Sequence, residues 1–189
     1  MGSGQNNLLI FAGRSNVGKS TLFSKLFKVS VKKGKKPGTT IKPNFYRAGD
    51  VTAVDLPGYG YMKGISYEFS EKVKDFIVHY IENNAENIIL AVQVIDIHSF
   101  REIVNRWESR GEIPIDIEMC EFLKEVCRNV IVAANKIDKV NKKTEEIEFA
   151  KKKLKAEIIP ISAKKGDISY LKNRISEICK KEGVSIKFK

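Results

Sequence analysis

The stretch Gly13-Arg14-Ser15-Asn16-Val17-Gly18-Lys19-Ser20 matches the pattern G-x-x-x-x-G-K-[ST]. Such a match indicates a phosphate site only where a strand precedes it and a helix follows. Both conditions are met in the sequence. Residues 7–12 form a short apolar run, and Leu22, Phe23, Leu26 and Phe27 recur at helical spacing beyond the loop. In this context the loop wraps phosphates with backbone N–H groups and the helix N-terminus points its partial positive charge at the same anion. Lys19 supplies a cation for the β- and γ-phosphates and Ser20 a hydroxyl for Mg²⁺. The phosphate-binding set is Gly13, Arg14, Ser15, Asn16, Val17, Gly18, Lys19, Ser20 and Thr21.

Outward from this loop the chain alternates between strands and helices. Residues 44–48 and 51–56 are strand-like runs separated by Gly49-Asp50, a two-residue turn signal that makes them antiparallel neighbours. Residues 32–40 are rich in lysine, glycine and proline without apolar periodicity and read as a loop, as do residues 56–64. Phe69, Val73, Phe76, Ile77, Tyr80 and Ile81 share one face of a helix. Residues 88–95 and 130–134 are nearly continuous aliphatic runs of strand length, the pattern of central strands covered on both faces. Helices are expected at 99–110, 117–126 and 145–154, then a strand at 157–161 and a helix whose apolar face is Ile168, Leu171, Ile175 and Ile178. The whole is an α/β domain with a six-stranded, mostly parallel sheet, one antiparallel strand and helices on both faces. Residues 184–188 are apolar and basic, and the sequence does not place them.

Three further motifs follow predicted strands, where ligands bind in open α/β sheets. Asp55-Leu56-Pro57-Gly58 sets an aspartate to reach the Mg²⁺ shell and a glycine N–H to meet a γ-phosphate. In Asn135-Lys136-Ile137-Asp138 an aspartate can accept hydrogen bonds from the N1 and N2 groups of guanine, a pair of donors that adenine lacks. In Ser162-Ala163-Lys164 a backbone N–H can contact the guanine carbonyl. The order and spacing resemble those of a small GTPase domain.

Composition narrows the class further. With 42% hydrophobic and 30% charged residues the 189-residue chain is neither disordered nor fibrous. Cys120, Cys127 and Cys179 are odd in number and lack C-x-x-C spacing, so neither a disulfide framework nor a zinc site is indicated. No apolar run approaches the roughly 18 residues of a membrane span, and no signal peptide or lipidation pattern is present, so a cytoplasmic protein without a membrane role is expected. Residues 1–4 read as a cloning remnant, and nothing demands more than a monomer. The net charge of +11 is uneven: residues 28–42 hold six lysines and no acid, whereas residues 85–127 hold four basic and nine acidic residues. A basic surface of this kind attracts phosphate polymers by releasing their counterions.

The residues G-R-S-N-V-G-K-S at 13–20, K-P-G-T-T at 36–40, D-L-P-G-Y-G-Y at 55–61, N-K-I-D at 135–138 and S-A-K at 162–164 resemble the EngB (YihA/YsxC) family of the TRAFAC class of P-loop GTPases. The similarity spans essentially the whole chain and implies a Ras-like GTP-binding domain over residues 5–183, followed by a short basic tail at 184–189. It also implies binding of GTP and GDP with Mg²⁺ and a switch acting in large ribosomal subunit assembly, with ribosomal RNA or a subunit precursor as partner. By position in the family pattern Thr40 senses Mg²⁺ and γ-phosphate, with Thr39 the alternative ligand; Thr39 stands where the family often has arginine. The metal set is then Ser20, Thr40 and Asp55, and the catalytic set Lys19, Thr40, Gly58 and Asn16.

Many GTPases carry a glutamine after the D-x-x-G glycine to orient the attacking water, but here that residue is Tyr59, so intrinsic hydrolysis is expected to be slow. GTPases that use a monovalent cation in place of an arginine finger resemble this chain in having an asparagine at the position of Asn16, which makes K⁺ a candidate cofactor. Tyr59 and Tyr61, beside the lysine-rich first switch, are candidates for stacking on unpaired bases. His79 and His98 lack any catalytic neighbour, and Trp107 reads as partly buried. A small-molecule phosphotransferase leaves N-K-I-D and S-A-K without a role. A signalling switch with a protein partner and no RNA contact remains the alternative.

Overall fold

The computed structural model describes residues 6–30, 42–60 and 66–189. The predicted loop at 32–40, with Thr39 and Thr40, lies outside the described residues, as does Tyr61. Six strands, β1 (Asn7–Ala12), β2 (Asn44–Ala48), β3 (Val51–Asp55), β4 (Ile88–Asp96), β5 (Val130–Asn135) and β6 (Glu157–Pro160), form one sheet in the order β2-β3-β1-β4-β5-β6. Only β2 is antiparallel to its neighbour, with Ala48 opposite Val51 across the Gly49-Asp50 turn; Gly49 has φ 74°, a value that favours glycine.

Strand β1 shows why both faces carry helices. Leu9 and Phe11 join a cluster with Leu22, Phe23, Leu26 and Phe27 of α1 (Lys19–Phe27) and Leu171, Ile175 and Ile178 of α6 (Ser169–Lys181). Leu8, Ile10 and Ala12 join a second cluster with Val73, Ile77 and Ile81 of α2 (Tyr67–Asn83). Alternate side chains of one strand thus enter opposite cores, and every central position is apolar. Three more helices complete the second face: α3 (Ile97–Glu108), α4 (Ile115–Val126) and α5 (Lys143–Leu154). Helix α3 starts two residues before the span expected from periodicity, because Asp96 caps it by accepting from the His98 amide at 3.2 Å.

The unplaced segment at the C-terminus packs on the sheet. Ile186 bridges Gly49, Asp50 accepts from the Ser185 amide and hydroxyl at 3.0 and 2.7 Å, and Phe188 stacks on Phe27 with centroids 5.7 Å apart. The predicted phosphate loop and the other three motifs leave the C-terminal ends of β1, β3, β5 and β6, along one edge of the sheet.

Candidate functional site

The loop between β1 and α1 is held by close packing. A Cβ on Gly13 would lie 2.5 Å from the Val94 carbonyl oxygen, so that position tolerates only glycine. Gly18 has φ 95°, and a Cβ there would lie 2.3 Å from Asn135 Nδ2. Asn16 is exposed and has φ 68°, a left-handed conformation that asparagine adopts more readily than most residues, so its presence has a conformational reason as well as a chemical one. Val17 is buried and ties the loop to the core.

Lys19 and Ser20 begin α1 and converge on the end of β3. Lys19 Nζ donates to Asp55 Oδ1 at 2.5 Å and to the Leu56 carbonyl, while Ser20 Oγ donates to Asp55 Oδ2 at 2.9 Å. Burial lowers the pKa of the Lys19 ammonium, and the Asp55 charge and hydrogen bond oppose that shift. A hydroxyl and a carboxylate side by side are hard oxygen donors suited to Mg²⁺, which usually takes only one or two protein ligands beside phosphate and water.

At the other end of the site Asn135 acts as a strut. Its Nδ2 donates to the Val17 carbonyl at 2.8 Å and its Oδ1 accepts from the Ala163 amide at 3.0 Å, joining the phosphate loop to the S-A-K loop. Of the S-A-K amides, that of Ala163 is therefore engaged by Asn135 here. Lys136 has φ 68°, and its Nζ donates to the Asn16 carbonyl at 2.9 Å and to Asp96 at 2.5 Å. Asp138 accepts from Ser162 Oγ at 2.6 Å, and this bond holds its carboxyl below the usual carboxylate range. An ionised Asp138 is an acceptor only, as recognition of two donor groups on a base requires. Lys164 is exposed at the tip of the same loop.

The segment after Asp55 lies directly on the phosphate loop. A Cβ on Gly58 would lie 2.8 Å from Ser15 Oγ; the Ser15 amide donates to the Tyr59 carbonyl at 3.0 Å and the Tyr59 amide to the Gly13 carbonyl at 3.4 Å. The reading of Tyr59 as a base-stacking residue is corrected: its ring is 1% exposed and points into the core, out of reach of any base. His79 and His98 are exposed and Trp107 is half-buried, as their neighbourhoods suggested.

Two residues near the site escaped the sequence reading. Gln93 on β4 and Asp116 on α4 are 0% and 1% exposed. Gln93 Nε2 donates to the Asp116 carbonyl at 2.7 Å and to the Tyr59 hydroxyl at 3.4 Å; Arg14 Nε donates to Asp116 Oδ2 at 2.7 Å. Burial raises the Asp116 pKa, and Arg14 and the Tyr59 hydroxyl oppose the shift. Gln93 had a signal, since it is the one polar residue in the run 88–95. Asp116 had none, because an acid in the first turn of a helix reads as a surface partner of the helix dipole.

Comparison with known proteins agrees with this geometry. A family described as 50S ribosome-binding GTPase matches residues 9–136. A probable GTP-binding protein EngB of Archaeoglobus fulgidus is 54% identical over 177 residues, 89% of this chain and 90% of that protein. Its counterpart in Methanosarcina mazei is 46% identical over 186 residues, 93% of this chain and 89% of that protein. A crystal structure of a probable GTP-binding protein EngB superposes with a TM-score of 0.86 at 47% identity, covering 92% of this chain and 99% of that one. Era in complex with MgGDPNP and nucleotides 1506–1542 of 16S ribosomal RNA superposes with a TM-score of 0.63 at 26% identity, over 93% of this chain and 56% of that one. Matched by that family model over residues 9–136 and by EngB relatives over 90% and 89% of their own length, the chain belongs to the EngB family of GTP-binding proteins and is a GTPase switch.

Proposed function

We propose that the four loops on one sheet edge form a single GTP site and that the chain is a slow, nucleotide-operated assembly factor for the large ribosomal subunit. The observation that carries this reading is the convergence of Lys19, Ser20 and Asp55 at one end of the edge with Asp138 and Ser162 at the other, joined by Asn135. The loop amides from Gly13 to Thr21 and the Lys19 ammonium hold the phosphates, and Gly58 meets the γ-phosphate. Asp138, Asn135, Lys136, Ser162, Ala163 and Lys164 frame the guanine. Ser20, Asp55 and Thr40 hold Mg²⁺, with Thr39 the alternative to Thr40; when bound, the ion supplies positive charge against the phosphate oxygens. The nucleotide-binding unit is taken as residues 5–183 with the tail 184–189 packed on it, acting as a cytoplasmic monomer. Among the described residues no helix is long and apolar enough to cross a membrane.

Slow hydrolysis follows from Tyr59, whose buried ring stands at the water-orienting position and cannot reach an attacking water. Loss of the γ-phosphate releases the contacts that order the loops after β3 and before β2, the order-to-disorder form of a GTPase switch. K⁺ at Asn16, exposed on the lip of the loop, is the proposed accelerator, and equal rates in potassium and sodium chloride remove it. The ribosomal role is supported by the description of the matching family, by the rRNA-bound Era structure and by the charge of +11. Co-sedimentation with purified large subunits, with a non-hydrolysable GTP analogue or GDP across a salt series, tests it. Analogue-dependent binding that falls steeply with salt is the expected result. Binding in neither state turns the reading to a switch with a protein partner.

A further inference from the structure

The buried polar group beneath the phosphate loop is a costly way to fill the core. Gln93, Asp116 and Tyr59 are almost fully withdrawn from water, and burying such groups costs free energy that apolar residues of similar volume would not incur. The hydrogen bonding is also incomplete: Gln93 Oε1 and Asp116 Oδ1 have no partner among the described residues. What the group does achieve is a physical connection. Arg14, a residue of the phosphate loop itself, turns its guanidinium sideways onto Asp116 of α4. Asp116 receives Gln93 of β4 through its carbonyl, and Gln93 reaches the Tyr59 hydroxyl. The backbone of Tyr59 is bonded at both ends to the phosphate loop, directly after the Gly58 that packs on Ser15.

We propose that Asp116 is a positioning residue of the nucleotide site, which acts with Gln93 and Arg14 to hold Tyr59 from beneath and so sets the separation of Gly58 from the phosphate loop. Arg14 then contributes its main chain to the cradle while its side chain is committed to the tether. Only a triphosphate extends far enough to meet Gly58, so the tether acts on GTP and leaves GDP nearly untouched. This inference rests on the GTP-site reading above.

The test uses the full chain with Tyr59→Phe, which removes one oxygen, and Asp116→Asn, which removes the charge at constant shape. Affinities for fluorescent GDP and for a fluorescent non-hydrolysable GTP analogue are measured beside single-turnover GTP hydrolysis and thermal unfolding. Expected is GDP affinity within about twofold of the unaltered chain, with analogue affinity and hydrolysis each down about tenfold, the size of an ordinary coupling between sites. Equal weakening of both nucleotides reduces the tether to a structural feature and overturns the proposal, as does no change in either. If Asp116→Asn does not fold, Tyr59→Phe decides alone. An unaltered chain that binds neither nucleotide overturns the site reading itself, whereas normal binding with an unmoved GTP-to-GDP ratio in the variants overturns only the tether.

Discussion

At the residue scale the proposed guanine preference rests on the charge of Asp138, whose carboxyl the Ser162 hydroxyl holds below the usual carboxylate range. Asp138→Asn replaces one acceptor with a donor and leaves a base N–H unpaired. Loss of about 2–3 kcal/mol of GTP affinity is expected, with gain of xanthosine triphosphate, and competition binding with the two nucleotides measures both. An unchanged preference for guanine moves the base pocket elsewhere. Asn135 was legible as a motif residue but not as a strut. A strand-end asparagine in the sequence says nothing of Val17, 118 positions away, whose carbonyl it holds. Asn135→Ala leaves that carbonyl and the Ala163 amide buried and unpaired, and about 2–4 kcal/mol of stability is expected to be lost in urea denaturation without nucleotide.

At the element scale the least legible piece was the segment from Val184 to Lys189. Its alternating apolar residues allow a strand, but no local signal names the neighbour it pairs with. The structure closes it against the β2–β3 turn through Asp50, and its Phe188 completes an aromatic group with Phe27 and Tyr46. Phe188→Ala is expected to cost about 1–2 kcal/mol, from lost burial and ring stacking, in a chemical denaturation series. Acid provides an independent check. The Ser185 hydroxyl and amide lower the Asp50 pKa below its unfolded value, so the stability they contribute is fully present above the unfolded carboxylate range and is lost as pH falls through the folded value. Carboxypeptidase digestion of this segment is therefore expected to quicken below about pH 4 in the natural chain. In Asp50→Asn the rate loses that pH dependence.

On the scale of the whole molecule, nucleotide binding and folding are linked, because the site is assembled from loops that only the folded sheet brings together. A ligand at about a hundred times its Kd adds about 2.7 kcal/mol, so GTP with Mg²⁺ is expected to raise Tm by roughly 5–10 °C, while ATP leaves it unchanged. Differential scanning fluorimetry reads this directly, and equal shifts with ATP and GTP dismiss the guanine pocket. The four motifs and the succession of strands and helices along the chain were legible from the sequence, since they depend on interactions between residues close along the chain. Apolar period, glycine and proline turns, and the phosphate loop between strand and helix are all local. Helix α3 was expected within two residues of its start, the offset coming from a cap that apolar periodicity does not register. What only the tertiary structure decided is long-range and polar. It turned Tyr59 inward, bound Arg14 to Asp116 across 102 positions and set Asn135 between two loops, because burial and hydrogen-bond partnership depend on which elements meet in space.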